Sequence, residues 1–175
     1  QQKVKRVPKP AGAKWSDSAT VYDRVRYQAD GQGFLKPQFR QIFVLPASGG
    51  TARQLTQGDF NYGSDLSFTP DSKALVFAAN LDAEWEYPPR DANLYQLDLI
   101  TEQLTSLTTM PGEESEPVFS PDGKQLAFLW QSNALVPYSN SKLKVLNLAN
   151  KRIDDIAADF DRSIASPNWL SNSSF

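Results

Sequence analysis

A ten-residue stretch, Phe68-Thr69-Pro70-Asp71-Ser72-Lys73-Ala74-Leu75-Val76-Phe77, returns 51 residues later as Phe119-Ser120-Pro121-Asp122-Gly123-Lys124-Gln125-Leu126-Ala127-Phe128, with six positions identical. A period of this length commits a chain to building one supersecondary unit several times. Each copy reads as strand, tight turn, strand. Proline presets φ within the turn, aspartate bonds nearby backbone, and Gly123 suits a position that needs φ > 0. Pro70, Asp71, Pro121, Asp122 and Gly123 are thus expected to be structural turn residues, with Ser72 standing where the second copy has glycine.

A third strand is expected at Leu94-Tyr95-Gln96-Leu97-Asp98-Leu99, at Leu143-Lys144-Val145-Leu146-Asn147-Leu148 and, earlier, at Ile42-Phe43-Val44-Leu45. A fourth strand closes each unit near Leu55-Thr56, Leu107-Thr108 and Ile156. Ser166-Pro167-Asn168-Trp169 looks like the first strand of a further unit. The second strands, Leu75 to Ala79 and Leu126 to Trp130, are apolar on both faces, so each sheet must be covered on both sides. Four short antiparallel strands every 50 residues or so, stacked face to face, describe the blades of a β-propeller. The expectation is an all-β chain, a partial ring of about three to four four-stranded blades. Its units run approximately over residues 1–56, 57–108 and 109–160, and another starts at 161–175. A β-sandwich of Greek-key type shares the short strands, but it buries one face per sheet and need not repeat.

The ordered set from Arg24-Val25-Arg26-Tyr27 and Gly31-Gln32-Gly33-Phe34 through Gln41-Ile42-Phe43-Val44, Gly49-Gly50 and Arg53-Gln54-Leu55-Thr56 resembles a known family. It is similar to the amino-terminal propeller of prolyl oligopeptidase family serine peptidases, in the acylaminoacyl-peptidase and dipeptidyl-aminopeptidase-like branch. Trp85-Glu86-Tyr87-Pro88-Pro89-Arg90-Asp91 and Glu116-Pro117-Val118-Phe119-Ser120-Pro121-Asp122-Gly123 continue the likeness in the same order. The resemblance implies a two-domain hydrolase in which a C-terminal α/β-hydrolase domain carries a Ser-Asp-His triad and the propeller covers its mouth. This chain would then be a non-catalytic piece whose partners are that missing domain and, in the full-length enzyme, short peptides. The Pro-Asp-Gly turn is shared with other propellers, so a protein-binding scaffold of the Tol-system type is the alternative. A propeller lyase with metal ligands in its channel is the third.

Composition narrows the chemistry. The chain has no histidine and no Gly-x-Ser-x-Gly elbow, so it cannot assemble a Ser-His-Asp relay of its own. No cofactor and no metal are expected. Eighteen basic and 20 acidic side chains leave a net charge of -2, which does not gather nucleic acid. The longest apolar runs hold six residues, against roughly 20 for a membrane span. The absence of cysteine leaves periplasm and cytoplasm both open, and with Met110 as the only methionine the chain is expected to be processed or excised.

Among candidate sites, Trp85, Glu86 and Arg90 lie in the long insertion of residues 82–91, placed to touch a second domain or a peptide or to anchor the loop. Glu113, Glu114 and Glu116 form a carboxylate group that reads as exposed charge ahead of a first strand. Asp154, Asp155, Asp159 and Asp161 read as a solvated turn, since the spacing lacks the glycine of a calcium loop. Gly31 and Gly33 read as loop glycines.

Overall fold

The computed structural model describes residues 8, 10–14, 21–36, 38–63, 65–87, 91–133 and 138–175. These form twelve β-strands and no helix, distributed over two compact units, residues 1–35 and 36–175. The first unit holds one hairpin, β1 (Gln28–Ala29) with β2 (Gly33–Phe34). Gly31 and Gly33 turn it at φ of 74° and 70°. Tyr22, Tyr27 and Phe34 stack beside it, with ring centroids 5.1 to 6.4 Å apart.

The second unit is built from three antiparallel sheets. β3 (Phe43–Val44) pairs with β4 (Arg53–Gln54). β5 (Ser67–Phe68), β6 (Ala74–Ala79), β7 (Asn93–Asp98) and β8 (Leu104–Ser106) form a four-stranded meander. β9 (Glu113–Phe119), β10 (Gln125–Gln131), β11 (Lys142–Asn147) and β12 (Ile153–Ile156) form the next. The all-β propeller expectation is met: two complete four-stranded blades stand beside the two-stranded β3–β4 sheet, which matches the β7–β8 pair of the next blade.

Two-sided burial is what stacks these sheets. Side chains alternate along a strand, and β6 sends Leu75, Phe77 and Ala79 into one core with Ile42, Leu55 and Tyr62. Val76 goes the other way, into a core with Leu94, Leu126, Phe128 and Leu146. β10 repeats the division, since Ala127 and Leu129 join Leu143 and Val145 on its far face, where Ile164 and Trp169 also pack. Phe77, Phe128, Leu94 and Leu126 are wholly buried. Each such side chain contributes about 1.5–3 kcal/mol over leaving it in water.

The two repeated turns have one hydrogen-bond pattern. Thr69 Oγ1 donates to Asp71 Oδ1 at 2.7 Å, and the Lys73 N–H donates to the same carboxylate at 3.1 Å. Ser120, Asp122 and Lys124 repeat both bonds at 2.7 and 3.1 Å. These donors hold the Asp71 and Asp122 carboxyls below their ordinary range, the hydroxyl bond first. Ser72 has φ 57° and Gly123 φ 69°, so the serine occupies the same left-handed position as the glycine. A Cβ on Gly123 would lie 2.9 Å from Pro70 Cγ, which packs the turn of one blade on the turn of the next.

Candidate functional site

Antiparallel meanders put every second-to-third-strand connection at one rim of the stack. The connection from β6 to β7 opens with two consecutive turns. The Asp82 N–H donates to Asn80 Oδ1 at 3.1 Å and the Glu84 N–H to Asp82 Oδ1 at 2.7 Å. The Trp85 and Tyr87 N–H groups then donate to Asp82 O and Glu84 O at 3.2 and 2.8 Å. Trp85 is half-buried, with its ring edge-on to Phe39 at 6.1 Å and 79°. Glu86 is half-buried and Tyr87 exposed. The loop therefore presents Glu86 and Tyr87 from a frame pinned by Trp85. Arg90 lies outside the described residues.

The same rim is tied to the next blade. Asp91 Oδ1 accepts from the Gly112 N–H at 3.0 Å and from Asn133 Nδ2. The Ala92 N–H donates to Gly112 O, and the Glu114 N–H donates back to Ala92 O at 2.9 Å. The Trp130 indole N–H closes over the turn onto Pro111 O at 2.9 Å.

The three glutamates expected as exposed charge ahead of a strand lie inside one, β9, and have three different surroundings. Glu113 is exposed. Glu116 Oε2 accepts the Ser166 N–H at 2.9 Å, tying the first strand of the blade to the segment that follows it. Glu114 corrects the sequence reading: it is 1% exposed, between the β5–β8 and β9–β12 blades. Its Oε2 accepts the Leu94 N–H at 3.0 Å and the Thr108 hydroxyl, while Oε1 has no partner. Desolvation pushes its carboxyl up from an ordinary 4.5 to about 7, against the opposing pull of those two donors and of Lys144.

A neighbour 52 residues upstream shows what this position is. The Tyr62 N–H donates to Arg40 O at 3.0 Å, and the Ile42 N–H donates to Thr56 Oγ1 at 2.9 Å. Glu114 with Ala92, and Leu94 with Thr108 at 2.9 Å, repeat this arrangement. Thr56 and Thr108 are thus junction residues that cap the third strand of one blade where the next blade begins. In the first junction the Thr56 hydroxyl donates to Gln41 Oε1 at 2.8 Å. Asn93 is the counterpart of Gln41 and is shorter by one methylene. Its Oδ1 is left buried without a partner, and Thr108 turns to Glu114 instead.

The aspartates near the last strand are engaged separately. Asp154 pairs with Arg152 at 2.7 Å and Asp155 with Lys144. Lys144 also lies 4.7 Å from the Trp130 ring centroid.

Residues 13–137 match the family model described as the dipeptidyl peptidase IV (DPP IV) N-terminal region. Dipeptidyl-peptidase 5 from Porphyromonas endodontalis is 37% identical over 67 residues, which are 37% of this chain and 10% of that protein. The Aspergillus niger protein named probable dipeptidyl-peptidase 5 is 32% identical over 121 residues, 63% of this chain and 17% of that protein. The chain thus matches only a small part of these relatives' lengths. The crystal structure of TolB from Acinetobacter baumannii superposes with a TM-score of 0.52 at 18% identity, covering 68% of this chain and 27% of that one.

Proposed function

Since the chain belongs to the family of dipeptidyl peptidase IV N-terminal regions, we propose that it is the non-catalytic propeller of a serine peptidase acting on short peptides. In this reading it covers an α/β-hydrolase domain of the same protein and filters what reaches that domain. The observation that carries the proposal is the match over residues 13–137 in a chain that has no histidine. Membership points to a peptidase, and the composition leaves the relay to residues elsewhere. Relatives named as dipeptidyl-peptidases support the same assignment.

The architecture suits a filter. Sheets buried on both faces and tied at one rim by Asp91, Gly112 and Glu114 support a stiff wall, and in this reading the ring admits an extended peptide and refuses a folded domain. Exposed Tyr87 and half-buried Glu86, beside the Trp85 anchor, are the residues for contact with the hydrolase domain or an incoming peptide. The likeness to TolB is one of fold, so the protein-binding scaffold has no observation of its own here.

The test is to express the whole gene product with and without this propeller. Both forms are given a dipeptidyl nitroanilide and a folded protein of about 20 kDa. The proposal expects hydrolysis of the small substrate by the intact protein and attack on the folded one only after the propeller is removed. Equal activity on both substrates in the intact protein would refute it.

A further inference from the structure

Among the described residues, two buried side-chain oxygens have no partner, Glu114 Oε1 and Asn93 Oδ1, and both belong to one junction. Asn93 sits between Ala92 and Leu94, whose backbone groups both bond Glu114. Two orphan acceptors in one dry seam are costly, because each loses its water and gains no donor. No rearrangement of acceptors satisfies either of them. A proton on Glu114 Oε1 does change the count, because it turns one acceptor into a donor in a seam that lacks donors.

We propose that Glu114 is a proton-operated latch between the β5–β8 and β9–β12 blades, closed when its carboxyl is neutral and loosened when it ionises. The sister junction shows that packing does not require a carboxyl. The equivalent residue there is Tyr62, whose hydroxyl donates to Gln57 O at 2.8 Å and whose burial raises its titration further above neutrality. Of these two seams, only the one with Glu114 can change charge near neutral pH.

The groups around Glu114 agree with this. From β7, Tyr95 is half-buried, and its phenol is pushed up by burial, then by Glu114 and by Asp82. From β6, Ala78 is apolar and packs against the core that holds Leu94. The turn before β9 contributes the neutral Thr108 hydroxyl, and Asp91, ahead of β7, is occupied by Gly112 and Asn133. On β10 the residue opposite Glu114 in register is Trp130. On β11, Lys144 is the cation whose field reaches Glu114, and it is shared with Asp155 of β12 and the Trp130 ring. On β9 itself, Glu113 is exposed and Glu116 is held by Ser166. One shared, laterally placed ammonium does not compensate the loss of water around a carboxylate with an empty oxygen.

The direction follows from linkage. The folded chain retains a proton on Glu114 that the unfolded chain releases above about 4.5, so the contribution of Glu114 to stability is full below that pH. It falls as pH rises towards about 7 and then levels off. The test is urea denaturation of this chain and of Glu114→Gln, which keeps the shape and cannot ionise, at pH 5 and pH 8. At pH 8 the variant should have a folding equilibrium constant on the order of a hundredfold above the parent, and at pH 5 within a few fold of it. Parallel pH dependence in the two proteins would overturn the latch. Should the variant not fold, carbon-13 carboxyl titration of the parent decides. One of its six glutamates should titrate above pH 6, and all six titrating below pH 5 would overturn the proposal.

Discussion

Gly112 is where the packing of blade on blade can be tested most sharply. It has φ 127°, which L-residues rarely adopt. A Cβ there would lie 2.3 Å from Trp130 Nε1 and 2.6 Å from Gln131 O, well inside contact distance. Its N–H and C=O are both used, by Asp91 and Ala92, so the turn cannot swing away without breaking two bonds. Gly112→Ala must then displace the Trp130 indole from Pro111 O, a loss of about 1 kcal/mol. The left-handed backbone adds about 1–2 kcal/mol, and overpacking adds about 1–3 kcal/mol. The expected cost is about 3–6 kcal/mol, equivalent to a fall in melting temperature on the order of 10 °C for a chain of this size. Gly49→Ala is the control, since Gly49 has φ 90° but nothing within 4 Å of its Cβ, and it should lose only about 1–2 kcal/mol. Urea titration followed by tryptophan fluorescence compares the two. A Gly112→Ala loss no larger than the Gly49→Ala loss would refute the close approach of β10 to the turn before β9.

Ser72→Gly should be neutral or stabilising by up to about 1 kcal/mol, because Ser72 holds φ 57° where glycine is unstrained; a clear drop in melting temperature would contradict this. Thr108→Val should cost about 1–3 kcal/mol by removing an acceptor from the Leu94 N–H and a donor from Glu114. Thr56→Val should behave alike at the Ile42 N–H, and indifference of both would dismiss the shared junction. Phe43, Leu45, Leu66 and Phe68 are each about half exposed, and where such side chains join in one patch it usually finds a partner. Light scattering after size exclusion should therefore show self-association, whereas a dilution-stable monomer of 19.5 kDa would count against it.

The repeat was legible because turn chemistry is local. Proline, aspartate and a residue at positive φ declare a hairpin within five positions, and Ser72 and Gly123 adopt the same conformation. Doubly apolar second strands declared stacked sheets for the same reason, since Val76 and Phe77 are adjacent in sequence yet enter different cores. Glu114 was not legible, because three carboxylates within four positions look like solvated charge. Its burial is decided by Leu94 and Thr108, which only folding brings to it. A signal existed, in that Leu55-Thr56 precedes Tyr62 by the same interval as Leu107-Thr108 precedes Glu114. It was masked because the junction repeats at 52 residues and the turn at 51. The rim loop was legible as an insertion only, for nothing in the sequence pairs Trp85 with Phe39.

The central claim, that this chain is the non-catalytic propeller of a serine peptidase, is tested most directly by labelling with a fluorophosphonate probe. The isolated chain and the full gene product are treated side by side, and the labelled residue is located by mass spectrometry. The account predicts no labelling of residues 1–175 and one labelled serine elsewhere in the full gene product, within a Gly-x-Ser-x-Gly stretch. A labelled serine inside this chain, or a full-length protein that takes no label at all, would contradict it.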